Sequence, residues 1–151
     1  MKDKLLAVIF FNQVFVLLQA QATFPFADVS TAFGIAFTGK NRGVAVADYD
    51  GDGWEDLYVS VWEGPNLLLR NLKGTGFEEQ TGFAGLQVEG NSWAATWGDL
   101  NNDGFPELYV SRYEAPDLLF LNNGDGTFTD ITLAARIGNL GKPYSVNMVD
   151  Y

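Results

Sequence analysis

Short apolar, β-branched and aromatic runs alternate with polar bends along most of this chain. Residues 43–47 form an apolar run that enters a bend rich in Asp and Gly, and residues 57–62 form a β-branched and aromatic run that leaves it. A turn follows at 63–66, a third strand at 67–70, a hairpin turn at 71–76 and a fourth strand at 77–81. The order then returns, with strands at 92–97, 108–112, 117–121 and 128–132 and a hairpin turn at 122–127. Residues 133–137 read as a helical turn ended by Gly138. Four short antiparallel strands per unit, joined by turns, predict an all-β chain built from β-propeller blades.

The two units align without a gap. The segment from Val46 to Ser60 lies over the segment from Trp97 to Ser111, an offset of 51 residues. The same offset relates Asn71 to Asn122 and links Phe26, Phe77 and Phe128. Units of this length generally cannot bury their apolar faces alone and stack on neighbours. The expected organisation is an export segment at 1–22, a leading strand and linker at 23–42, a first repeat at 43–91, a second at 92–142 and the start of a third at 143–151. The leading strand is expected to occupy a fourth-strand position, where it would complete a last blade. The sequence thus reads as an incomplete amino-terminal piece of about two blades, with open sheet edges.

The bends carry the candidate chemistry. The first places Asp48, Asp50, Asp52 and Asp56 at relative positions 1, 3, 5 and 9, and the second places Asp99, Asn101, Asp103 and Glu107 there. Gly53 and Gly104 at position 6 permit a sharp turn, so that the position-7 carbonyls of Trp54 and Phe105 are expected to face inward. Ca²⁺ takes six to eight oxygens, which such a loop and water supply, whereas Mg²⁺ prefers octahedral geometry with retained waters. Carboxylates packed this closely are costly without a cation. The twelfth position, a bidentate Glu in an EF-hand, is Val59 or Val110 here, so a β-flanked loop is expected. On charge alone the first loop, with four carboxylates against three, should hold Ca²⁺ more tightly. A third loop would open at Asp150.

An isolated Asp-Gly-Asp-Gly stretch is usually a solvated turn. Two copies at one period, each followed by Leu-Tyr-Val-Ser, argue otherwise. The bend at 122–127 keeps little acidity in its copy at 71–76 and reads as a plain hairpin. Trp54, Trp62, Trp93 and Trp97 could line a carbohydrate surface, but packing between blades is the better reading. Asp28, Glu79 and Asp130 recur in fourth-strand positions and read as solvent-facing rather than catalytic.

Composition narrows the function. Across 151 residues, 9 Lys plus Arg stand against 19 Asp plus Glu, a net charge of -10, which disfavours nucleic acid and anionic membranes as partners. There is no Cys and no His, which removes disulfides, thiolates and imidazoles and leaves hard oxygen donors. The basic start at Lys2 and Lys4, the apolar stretch from Leu5 to Leu18 and the small-x-small pattern Ala20-Gln21-Ala22 predict a cleaved signal peptide. That stretch is too short to span a bilayer, so no stable membrane insertion is expected after cleavage, and a secreted, periplasmic or cell-surface location follows.

With these residues in view, the chain resembles the FG-GAP and VCBS family of repeats found in integrin-α-type propellers and in exported bacterial proteins. Residues 48–56 match its Asp-x-Asp-x-Asp-Gly-x-x-Asp loop, and residues 99–107 match an Asn and Glu variant. The pairing of Gly-Asp-Leu-Asn-Asn-Asp-Gly at 98–104 with Asn-Asn-Gly-Asp-Gly-Thr-Phe-Thr-Asp at 122–130 is similar to bacterial members that precede an ASPIC/UnbV module. The resemblance implies structural Ca²⁺ on the loop side chains, a propeller fold and a scaffold for adhesion or for binding a protein or carbohydrate ligand, with no catalytic residue in this chain. The alternative is a non-catalytic propeller part of an exported hydrolytic enzyme whose active site lies in other sequence.

Overall fold

A computed structural model describes residues 26–137, 141–143 and 145–148. The expected signal segment at 1–22 and the candidate ligand Asp150 lie outside these residues.

Two antiparallel four-stranded sheets make up the fold. The first contains β1 (Lys40–Ala47), β2 (Asp56–Trp62), β3 (Leu67–Asn71) and β4 (Phe77–Glu79), in that order. The second contains β5 (Ser92–Gly98), β6 (Glu107–Arg112), β7 (Leu118–Asn122) and β8 (Phe128–Asp130). The repeat is kept in the register: Leu57 faces Leu69 and Val59 faces Leu67 in the first sheet, as Leu108 faces Phe120 and Val110 faces Leu118 in the second. Neither sheet closes on itself, and both have the form of propeller blades.

β5 packs against β1 and β2, and the side chains between the sheets form the main core. Ala45, Tyr58 and Leu68 of the first sheet meet Leu108, Val110, Phe120 and Phe128 of the second. Trp97 lies among them, edge-on to Tyr58 at 6.2 Å between ring centroids and stacked on Tyr49 at 6.5 Å, as a tryptophan packed between blades should. The opposite face of the first sheet presents Val59, Val61 and Leu69, against which Ile35 and Phe37 pack.

Several elements differ from the sequence reading. β1 begins at Lys40 rather than at 43, with a bulge at Arg42. Its counterpart in β5 is a bulge at Trp93, so the extra residue recurs although its identity does not. Phe26–Val29 is not a strand: no neighbouring strand among the described residues pairs with it, and the chain instead turns at 30–34. The fourth strands stop at Glu79 and Asp130, two residues early, because Thr81 and Thr132 turn their hydroxyls back to accept from Leu68 N and Leu119 N, at 2.8 and 3.0 Å. A single helical turn, α1 (Thr81–Ala84), follows β4 and ends at Gly85 in the left-handed region. Its counterpart in the second repeat is a run of turns, not a helix, with Arg136 in the left-handed region; Gly138, expected to end it, lies outside the described residues. Asp28, Glu79 and Asp130 are exposed, and each also accepts the backbone N–H two residues ahead, which gives their recurrence a structural cause.

At the end of the sheets away from the acidic bends, buried Asn66 closes the β2–β3 turn. It accepts from Val61 N and donates to Tyr58 Oη and Ser92 Oγ, at 2.8, 3.0 and 2.8 Å. Asp117 closes the equivalent turn by accepting from Arg112 N and Tyr109 Oη.

Candidate metal centre

The first acidic loop joins β1 to β2, so its two ends are anchored by neighbouring, hydrogen-bonded strands. Asp48 at the entry accepts from Asp52 N at 3.0 Å and from Gly53 N at 2.8 Å, which folds the loop back on itself. Gly53 makes this turn with φ of 89°. Asp56, the first residue of β2, is fully buried, and its two oxygens accept from Asn71 N at 2.7 Å and Tyr49 N at 3.2 Å.

These constraints bring one carboxylate oxygen each from Asp48, Asp50 and Asp56 within 4.8 Å of one another. Two oxygens bound to one Ca²⁺ at about 2.3–2.6 Å lie at most about 4.6–5.2 Å apart, so three oxygens within 4.8 Å of one another are close enough to share one ion. The donor set, three hard carboxylates with no nitrogen or sulfur, fits as well. Asp52 stands aside: it accepts from Trp54 N at 3.1 Å and from the Arg70 guanidinium at 3.2 Å. Arg70 also donates to Asp50 at 2.6 Å. Trp54 is partly exposed, with its ring over the backbone of Gly74 in the β3–β4 hairpin.

The second loop repeats the backbone frame. Asp99 accepts from Asp103 N and Gly104 N at 3.2 and 3.0 Å, and buried Glu107 accepts from Leu100 N at 2.7 Å. Asp103 accepts from Phe105 N at 2.8 Å. Asn101 donates to Asp103 at 2.8 Å and to Glu107 at 3.4 Å, so its amide nitrogen lies between acidic groups. Among the described residues only the first loop gathers three carboxylates within 4.8 Å. Phe105 packs its ring between Gly124 of its own repeat and Gly51 of the first loop, tying the two loops together.

Two contributors were not evident from sequence. Asn122 is buried and donates to Tyr49 O at 2.9 Å and Pro106 O at 3.2 Å, so it joins the second sheet to the first loop. Its recurrence as Asn71 was the available signal. Arg70 had none, because the second repeat carries Leu121 at its position. Arg70 also removes the premise that the first loop has one net negative charge more than the second: counting the guanidinium, the two loops are equal. The twelfth positions, Val59 and Val110, are buried in β2 and β6, which is incompatible with an EF-hand's helix.

Burial holds the Asp56 carboxyl at a pKa of about 6, against the two backbone N–H groups, which pull it down. An unfolded Asp titrates near 3.9. The metal-free native state therefore keeps a proton that the unfolded chain has lost, and stability falls as pH rises from about 4 through about 6. The loss is roughly 2–3 kcal/mol. Urea unfolding in chelator across this range should show wild type losing stability relative to Asp56→Asn as pH rises; parallel profiles would contradict the assignment.

Comparison with known proteins bears on the repeat that carries these loops. Residues 48–110 match the family model described as FG-GAP-like repeat. Cartilage acidic protein 1 of Mus musculus is 30% identical over 133 residues, covering 75% of this chain and 21% of that protein. The Homo sapiens protein of the same name is 29% identical over 133 residues, covering 75% and 20%, and that of Xenopus tropicalis is 30% identical over 114 residues, covering 67% and 16%. The chain thus spans about a fifth of the length of these curated relatives. Among the described residues no helix is long and apolar enough to cross a membrane. The ASPIC/UnbV likeness remains a resemblance of residues 98–104 and 122–130. Residues 48–110 of the chain are thus an FG-GAP-like repeat segment.

Proposed function

We propose that this chain is a calcium-binding part of an extracellular repeat scaffold, with Ca²⁺ in a structural and not a catalytic role. The convergence of Asp48, Asp50 and Asp56 on one point carries the reading. Asp48, Asp50 and Asp56 would hold the ion in the first loop, with Asp52 and the Trp54 carbonyl available to complete it. Asp99, Asn101, Asp103, Glu107 and the Phe105 carbonyl would do so in the second, and Asp150 would open a third. A divalent ion supplies countercharge there. The protein's own residues do the rest: the strands fix both ends of each loop, and the backbone N–H groups orient the carboxylates before any ion arrives, which lowers the entropy cost of closing the site.

The scaffold would present its remaining loops to a protein or carbohydrate ligand outside the cell, whether secreted, periplasmic or at the cell surface. The FG-GAP-like repeat segment and the strongly acidic composition support this reading. Nucleic acid is a poor partner for such a surface.

Isothermal titration of the metal-free chain should give Ca²⁺ heats that are absent or much weaker with Mg²⁺, and saturation at a hundred times the Kd should raise stability by about 2.7 kcal/mol per site. No Ca²⁺ heat, together with identical melting in Ca²⁺ and in chelator, would refute the proposal.

A further inference from the structure

We infer that Arg70 is a built-in countercation of the first acidic loop, which competes with Ca²⁺ and makes this loop the weaker of the two sites. The inference rests on the calcium reading above and sets the order of affinity within it. Arg70 Nε donates to Asp50 Oδ2 at 2.6 Å, and its terminal nitrogen donates to Asp52 Oδ2 at 3.2 Å. The acceptors are well shielded, with Asp50 and Asp52 side chains 14% and 18% exposed, so water screens the pair less than it screens a surface ion pair. Asp50 is one of the three carboxylates that converge, so an arriving ion and the guanidinium draw on the same side chain.

The second repeat provides an internal comparison. Leu121 occupies the position of Arg70, directly before Asn122 as Arg70 is directly before Asn71, and among the described residues no Lys or Arg pairs with Asp99, Asp103 or Glu107. The second loop meets its three carboxylates with backbone N–H groups and the neutral Asn101 amide, which donates to Asp103 and Glu107, and with no resident cation, so the charge repulsion is left for Ca²⁺ to relieve. A loop with four carboxylates and Arg70 has already relieved part of it. Arg70 also borders a cleft of about 460 Å³ between the first loop and the β7–β8 hairpin, lined in addition by Gln80, Phe83 and Asp125. The cleft gives a displaced guanidinium room to swing aside and a carboxylate in the same space.

Exchanging the two residues tests the inference. In calcium titrations of the full chain, Arg70→Leu should tighten one of the two binding events by about fivefold or more and leave the other in place, while Leu121→Arg should weaken the other. In chelator, Arg70→Leu should lower the melting temperature because the first loop loses its countercharge. Arg70→Gln, which keeps a polar side chain, should move both readouts in the same direction and guards against a packing effect of leucine. Calcium binding to both loops with affinities unchanged or weakened in Arg70→Leu would overturn the role of Arg70 and leave the calcium reading intact. Absence of calcium binding in every variant, with a lowered melting temperature for Arg70→Leu in chelator, would overturn the calcium reading and the competition, and would leave Arg70 as a structural ion pair only.

Discussion

Asp56→Ala should lower the unfolding free energy by about 2–4 kcal/mol in chelator, before any question of metal arises. The carboxylate is fully buried and accepts from Asn71 N at 2.7 Å and Tyr49 N at 3.2 Å. Alanine leaves both donors without that acceptor at the point where the first loop meets β2 and the β3–β4 hairpin. The same substitution removes one of the three converging oxygens. A second loss therefore appears as a reduced stabilisation by Ca²⁺. The two effects separate experimentally: denaturant unfolding in chelator reads the first, and the difference between calcium and chelator reads the second. A variant as stable as wild type in chelator would mean that the two N–H groups do not depend on Asp56.

Tyr58→Ala should be at least as costly, at about 3–5 kcal/mol, a large share of the stability that a domain of this size commands. Tyr58 is fully buried between the sheets, its ring edge-on to Trp97, and its hydroxyl accepts from Asn66 Nδ2. Truncation opens a cavity in the core that joins the two repeats and removes one partner of the Asn66 network. Tyr58→Phe keeps the ring and should cost only about 1 kcal/mol. Equal losses for the two variants, measured by chemical unfolding, would show that the hydroxyl rather than the packing holds the repeats together.

The 51-residue offset made the sheets legible, because a strand's register follows from which residues recur opposite one another. Leu57 with Leu69 and Leu108 with Phe120 are the same pair seen twice. The start of β1 was obscured by the bulge at Arg42, since one extra residue breaks the two-residue alternation that marks a strand. The segment at 26–30 looked like a strand by its residues alone. Strand structure also requires a partner, and none of the described residues supplies one there. The acidic positions were visible because they recur, whereas Arg70 was invisible for the opposite reason: its counterpart is Leu121. What a repeat does not share is what its alignment hides, and the electrostatics of the first loop depend on that unshared residue.

A divalent ion is expected at the bends between β1 and β2 and between β5 and β6. The most direct measurement is a crystal structure of the protein grown in millimolar CaCl₂, with anomalous differences used to locate calcium. The expected result is a peak at each bend, the one between β1 and β2 lying about 2.3–2.6 Å from oxygens of Asp48, Asp50 and Asp56 with Arg70 turned away from Asp50. No peak at either bend, with Arg70 still bonded to Asp50 and Asp52, would contradict it.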